Sequence, residues 1–197
     1  MFYKKLDIDT FREVQDQIVP YVIDFVTNDV RESENKFSEK VTFNFISDED
    51  LIKFKRDIPI LFECIRRELG SEVLYMAFVY IDEGGTLALH TDGDNSIQRR
   101  IRLHWPILNS TSAETVYYKS KHEEVTSIHR SFKSGVTGHQ YDPNDVYEVD
   151  RYTLDVPTLN SVKEIHGVDI ISDELPRILL TMRLSNEEEV YQKYFQQ

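Results

Sequence analysis

"EVLYMAFVYIDEGGTLALHTDGD", residues 72–94, is the stretch on which the fold turns. Up to Gly70 the apolar residues recur mainly at helical spacing. Here they become β-branched and aromatic, a Gly-Gly pair turns the chain, and a second short run follows. On a strand, Leu87 and Leu89 share one face, while Thr86, Ala88, His90 and Asp92 share the other. An imidazole and a carboxylate two residues apart can therefore converge on one ion. Taken alone, the pair is a polar strand end before a "GD" turn. A metal site needs a third ligand from elsewhere in the chain.

Downstream the strand pattern continues. "RIRLHWPIL" (100–108), "ETVYYKS" (114–120), "EEVTSIH" (123–129), "VYEVDRYTLDV" (146–156) and "RILLTMRLS" (177–185) are short runs with turn residues between them. "HRSFKSGVTGHQYDPND" (129–145) is rich in Gly, Ser, Asp and Asn and reads as a mobile loop, with 130–148 and the 93–99 turn as candidate lids. Upstream, Phe11, Val14, Ile18, Val22 and Phe25 form one apolar helical face, with Pro20 expected to kink it. "SDEDLIKFKRDIPILFECIRRELG" (47–70) reads as a second helix, started by Ser47 with Asp50 and stopped by Gly70. "KVTFNFIS" (40–47) alternates like a strand. Leading helices followed by many short strands predict an α+β protein with a sandwich or barrel body. The chain of 197 residues fits one domain: 1–71 mainly helical, 72–185 the β body, and 186–197 a C-terminal helix.

Charge and cysteine content narrow the function. A formal net charge of -12 opposes a phosphate backbone and argues against nucleic acid as partner. Cys64 is the only cysteine, which excludes an intramolecular disulfide and cysteine-rich zinc sites and fits a cytoplasmic protein. The first residues have no apolar core of a secretory leader, and no run approaches the ~18 apolar residues of a membrane span.

The third ligand has a good candidate in His166 of "SVKEIHGVDI", which lies between two strand-like segments. His122, His129 and His139 sit in polar sequence and read as solvated. Two histidines and one carboxylate make the facial set that suits non-haem Fe(II) and leaves coordination positions open. Arginines add a second signal. Arg100, Arg102 and His104 share one strand face, and Arg177, Leu179, Thr181 and Arg183 share another. If the apolar faces pack, these guanidinium groups turn inward. A buried guanidinium is costly unless paired, and a bidentate acid ligand is a reason for it to be there. Each item has a bland alternative: His104 as a hydrogen-bonded core histidine, Arg183 as a partner of a nearby acid, His166 as a loop residue. The order of all of them along the chain favours a site.

His90-x-Asp92, the distant His166 and then Arg177 on the last strand resemble the pattern of the Fe(II)- and 2-oxoglutarate-dependent oxygenases. Arg102 and His104 match the R-x-H of the aspartyl/asparaginyl β-hydroxylases and related bacterial proline hydroxylases, over roughly residues 73–185. The resemblance implies a double-stranded β-helix (a cupin-like jelly-roll) with the N-terminal helices packed on one sheet. It implies a dioxygenase that hydroxylates a C–H bond of an amino acid or of a peptide or protein side chain, using Fe(II), 2-oxoglutarate and O2. In that scheme His90, Asp92 and His166 hold the metal. Arg177 binds the distal carboxylate of 2-oxoglutarate, Arg102 and His104 orient its C1 end, and Arg183, Arg100 and Tyr80 are candidates for contact with the substrate. Two departures are present. Asp92 is retained where some β-hydroxylases lack it, and the segment between His90 and the R-x-H is lengthened. A cupin-like ligand-binding module without oxygenase activity, or a structural jelly-roll, are the competing expectations.

Overall fold

A computed structural model describes residues 1–29, 36–38, 41–83, 85, 87–93, 100–123, 126–131 and 137–196. The N-terminal part runs β1 (Tyr3–Lys5), α1 (Phe11–Asp29), β2 (Lys36–Ser38), β3 (Val41–Phe45), α2 (Asp48–Asp57) and α3 (Pro59–Leu69). The β body comprises β4 (Val73–Ile81), β5 (Leu87–Asp92), β6 (Ile101–Leu108), β7 (Ala113–Ser120), β8 (Ser127–Ser131), β9 (Thr137–Tyr141), β10 (Val146–Thr153), β11 (Thr158–Ser161), β12 (Ile165–Ile170) and β13 (Arg177–Leu184). Helix α4 (Glu187–Phe195) follows.

Among the described residues the strands form two antiparallel sheets, ordered β1-β11-β6-β13-β4-β3-β2 and β10-β7-β12-β5-β9-β8. Consecutive strands β4 to β7, and again β10 to β13, step between the sheets. The result is the double-stranded β-helix expected from the sequence, with four strands per sheet at its centre and additions at the edges.

The sequence pattern explains why the layers stack this way. Ile101, Leu103 and Trp105 of β6 and Ile178, Leu180 and Met182 of β13 point to one side of the first sheet. There they join Val14, Ile18 and Val22 of α1, Phe54 of α2, and Leu61 and Ile65 of α3 in a single buried cluster. Trp105 is fully buried, stands 5.6 Å from Phe11, and donates from Nε1 to Gln15 Oε1 at 2.7 Å. Each such side chain contributes about 1.5–3 kcal/mol through burial. The opposite faces of the same strands turn toward the second sheet. A smaller apolar cluster fills that space, with Val79, Ile81, Leu87, Tyr117, Leu154, Val168 and Leu179. The helices thus cover one face only, and polar side chains share the inter-sheet space with this smaller cluster.

Several expectations are corrected. The helix over 47–70 is two helices, broken at Ile58, because Pro59 lacks the N–H to continue α2 and pushes the preceding residue out of helical geometry. Ser47 does cap α2, its hydroxyl accepting from Asp50 N at 3.1 Å, and Gly70 ends α3 at φ 61°. Pro20 falls within α1, as the sequence reading places it. The stretch 129–145 is not one loop: β8 and β9 pair as a hairpin that extends the second sheet along β5. Residues 132–136 of that stretch, 94–99 of the other candidate lid, and Thr86 lie outside the described residues. His166 sits within β12 rather than between strands.

The alternation read into β5 also fails at one point. His166 faces His90, yet Val168 faces Leu87, so β5 carries one extra residue between these pairs. This bulge puts Leu87 in the inter-sheet cluster on the same side as His90. Bulges of this kind re-aim a side chain at the cost of one ladder position. Among the described residues no helix is long and apolar enough to cross a membrane.

Candidate functional site

The site lies between the sheets, where β5 and β12 run side by side. His90 of β5 and His166 of β12 are register partners, and their ring centroids are 4.3 Å apart. Asp92 follows two residues along β5, its Oδ1 3.7 Å from His90 Nε2. After it Gly93, at φ 95°, takes a left-handed conformation that ends the strand. One ligand atom from each of His90, Asp92 and His166 lies within 4.8 Å of the others.

The two imidazoles are held in the same way. His90 Nδ1 is 2.7 Å from the carbonyl of Ala88, and His166 Nδ1 is 2.9 Å from the carbonyl of Glu164. A carbonyl only accepts, so both Nδ1 atoms carry the proton and donate. Nε2 of each ring is then the lone-pair nitrogen, the form that ligates a metal. Burial lowers the His166 pKa to about 4, with His90 adding to the effect. The ring is neutral at neutral pH before any ion arrives.

The facing sheet supplies the charge. Arg177 opens β13 and is 1% exposed. Its Nε reaches the carbonyl of Ser110 at 3.4 Å, while Nη1 is buried with no hydrogen-bond partner among the described residues. Burial lowers its pKa to about 10, with the Tyr152 hydroxyl acting the other way, so the group stays cationic at neutral pH. A buried cation without a carboxylate is a costly arrangement unless a ligand completes it. The donor set and this orphaned guanidinium together fit a metal with an acid bound beside it.

His104 lies between these two parts. Its β6 position faces Thr181 of β13, on the inter-sheet side. Its Nδ1 is shut off from solvent with no hydrogen-bond partner among the described residues. Burial, then the charges of Arg177 and His166, lower its pKa to about 3. Arg102, two residues earlier, is 4% exposed and stands with Nε 3.9 Å from Asp92 Oδ2. Its Nη1 donates to Glu187 Oε1 at 2.8 Å and to the carbonyl of Ile101 at 3.1 Å.

The substrate candidates fall in different places. Arg183 is on the inter-sheet face of β13, with Nε 3.6 Å from Glu187 Oε1 of α4. Arg100 is turned to α4, with Nε 2.7 Å from Glu188 Oε2 and its guanidinium 5.4 Å from the Tyr191 ring centre. Tyr80 packs against the helix-side cluster, on the face of β4 away from the site. The structure therefore does not bring Tyr80 to the other residues. The physical reason is strand parity: Tyr80 pairs with Ile178, which faces the helices.

Other polar residues of the interior were not singled out from the sequence. Tyr117 donates to Asn160 Oδ1 at 3.0 Å, and Tyr152 donates to the same oxygen. Burial raises the Tyr152 pKa to about 12 and pushes that of Tyr117 well above its ordinary value. Tyr117 stands 6.0 Å from the His166 ring. Strand parity would place Tyr117 inward, but a tyrosine in "ETVYYKS" carries no mark of a polar network. Glu187, on a helix read only as polar, gave no signal either.

No protein-family model matches the chain. No curated protein matches it in sequence. Solved structures do. The epimerase SnoN, crystallised with Fe3+, α-ketoglutarate (2-oxoglutarate) and nogalamycin RO, superposes with a TM-score of 0.60 at 10% identity, covering 92% of this chain and 78% of SnoN. A prolyl-4-hydroxylase from Pseudomonas putida superposes with a TM-score of 0.52 at 11% identity, covering 92% of this chain and 91% of the other. At such identities the likeness is one of fold: this chain has the jelly-roll architecture of a non-haem α-ketoglutarate-dependent epimerase and of a bacterial prolyl hydroxylase.

Proposed function

We propose that this chain is a non-haem Fe(II)- and 2-oxoglutarate-dependent dioxygenase that hydroxylates a C–H bond of an amino acid or of a peptide or protein side chain. One observation carries the reading: Arg177 of one sheet is a fully buried guanidinium whose Nη1 has no hydrogen-bond partner among the described residues, and the other sheet carries a His-Asp-His cluster. A cupin-like module that only binds metal has no use for that charge. The fold shared with SnoN and the prolyl-4-hydroxylase supports the same class.

In this reading residues 1–197 act as one catalytic domain, the helices backing the first sheet. His90, Asp92 and His166 hold the iron, and the metal supplies activation of O2 and the redox chemistry of C–H oxidation. Arg177 holds the distal carboxylate of 2-oxoglutarate through charge-assisted hydrogen bonds. His104 is neutral and lines the route from Arg177 to the metal ligands. There it donates or accepts at the C1 end without adding charge, and Arg102 steadies that end from beside Asp92. The apolar cluster of Leu87, Val168 and Leu179 keeps water out of this space.

The test is an anaerobic titration of the Fe(II)-loaded protein with 2-oxoglutarate, followed by its visible charge-transfer absorbance. Wild type is expected to bind, and to release succinate once O2 is admitted. His166→Ala is expected to lose the metal. Arg177→Met is expected to weaken 2-oxoglutarate binding about 100-fold, the loss of about 3 kcal/mol in hydrogen bonds to a charged group. The same variant should melt no lower than wild type, since it removes a buried cation that no carboxylate among the described residues pairs with. A protein that binds neither iron nor 2-oxoglutarate would refute the reading.

A further inference from the structure

The end of the inter-sheet space near α4 holds a further arginine, Arg183, beside Arg102. Arg183 closes the inward row of β13 that begins with Arg177. The two are six residues apart, about 20 Å along a strand, so they cannot serve the same carboxylate. The β13–β6 register pairs Thr181 with His104 and Met182 with Leu103; one step further sets Arg183 beside Arg102. Helix α4 starts immediately after β13 and lowers Glu187 between them. Glu187 Oε1 accepts from Arg102 Nη1 at 2.8 Å, and the same oxygen is 3.6 Å from Arg183 Nε, too far for a hydrogen bond. Arg183 Nε is shut off from solvent with no hydrogen-bond partner among the described residues, although 42% of its side chain is exposed. A guanidinium with one edge buried and unbonded and the rest open to solvent is arranged to receive a planar acid from outside. Asp92 lies next to Arg102, so whatever binds here is held beside the metal ligands.

We propose that Arg183, next to the Arg102 that steadies the C1 end of 2-oxoglutarate, is the carboxylate anchor for the molecule that is oxidised, and that Glu187 is the internal carboxylate this ligand displaces from Arg183. The inference rests on the dioxygenase reading above and deepens it by naming the substrate as a carboxylic acid. The acid is either the α-carboxylate of a free amino acid or an acidic side chain of a peptide. Glu187 keeps the arginines neutralised until the ligand arrives, and it tethers α4 to the mouth of the site. Glu188 on Arg100 is a second tether on the same helix.

The experiment uses the full chain loaded with Zn(II), a diamagnetic stand-in for iron, and follows arginine Nε–H signals by 15N NMR. The Arg183 signal is assigned by its loss in Arg183→Lys, and the Arg177 signal by its loss in Arg177→Met. Pools of free L-amino acids, their carboxamides, and capped peptides containing Asp or Glu are added in turn. The expected result is a shift of the Arg183 signal with one of the acid arms and none with the carboxamides. Free amino acids acting alone identify an α-carboxylate; capped acidic peptides identify a side chain. In Glu187→Gln the acid that acts should bind several-fold tighter, because its internal competitor is gone. In the iron-loaded enzyme, Arg183→Gln should lose at least tenfold of the succinate release that this acid stimulates. No shift with any acid, or equal shifts with the amides, overturns the proposal; so does Glu187→Gln binding no tighter. Failure of the dioxygenase reading is seen separately, as an Arg177 signal unmoved by 2-oxoglutarate.

Discussion

At the residue scale, the site is built from groups held in unfavourable states. His104 and His166 are neutral because burial strips their charged forms of water. Both titrate near 6.5 when unfolded, and at about 3 and about 4 when folded. Between those limits the unfolded chain binds protons that the folded chain does not. The stability they leave intact is therefore whole above pH 6.5 and is lost as pH falls toward 4. Each contributes a slope of about 1.4 kcal/mol per pH unit in that window. Urea unfolding of the metal-free protein at pH 7, 6 and 5 should show it, and His104→Gln should roughly halve the slope. A flat profile would mean that both rings are protonated in the native state, and half the slope that one of them is. Arg177 is unfavourable in the same sense: burial lowers its pKa, and among the described residues no carboxylate pairs with it. His90, Asp92, His166, Arg102, His104, Arg177 and Arg183 were all legible as candidates, because each lies at a polar position on an otherwise apolar alternating run. Tyr80, named as a candidate for substrate contact, lies on the helix-side face of β4.

At the element scale, the pairing of β5 with β12 sets the metal site. The bulge in β5 is what lets His90 meet His166 while Leu87 still reaches the apolar cluster. Gly167, next to His166, permits the close approach. A Cβ there would stand 2.9 Å from Leu89 Cδ2 and 3.3 Å from the Leu87 carbonyl. The leucine can rotate away, but the carbonyl belongs to the bulged backbone. Gly167→Ala is expected to cost about 1–3 kcal/mol through this crowding. It should also lower metal affinity about tenfold by moving β5 against β12, which competition with a chromophoric chelator would measure. Unchanged affinity would show that the register is held by other contacts. None of this was visible in the sequence. A bulge is one residue of slippage chosen by the neighbouring strand, and strict alternation was the only guide available.

At the scale of the whole molecule, the first sheet serves two masters. Its outward face needs the helices, and its inward face carries Arg177, His104, Arg102 and Arg183. Removing residues 1–71 would uncover Ile101, Leu103, Trp105, Leu180 and Met182 together. A 72–197 fragment is expected to show no cooperative unfolding transition, with Trp105 fluorescing as in the unfolded chain. A fragment that melts cooperatively with a buried tryptophan would make the helical part a separate unit.

The amino-acid sequence by itself determined the class of fold, the cluster of metal-ligating types and the buried cations, because each depends on local periodicity and on the chemistry of single side chains. Only the tertiary structure decided the rest. It turned a glycine-rich stretch into the β8–β9 hairpin, since the open edge of β5 satisfies backbone groups that the local sequence leaves unpaired. It bulged β5, and it brought Glu187 from the C-terminal helix onto Arg102 across 85 residues of chain. Those are contacts between distant segments, and their energies depend on which surfaces meet, which no local pattern records.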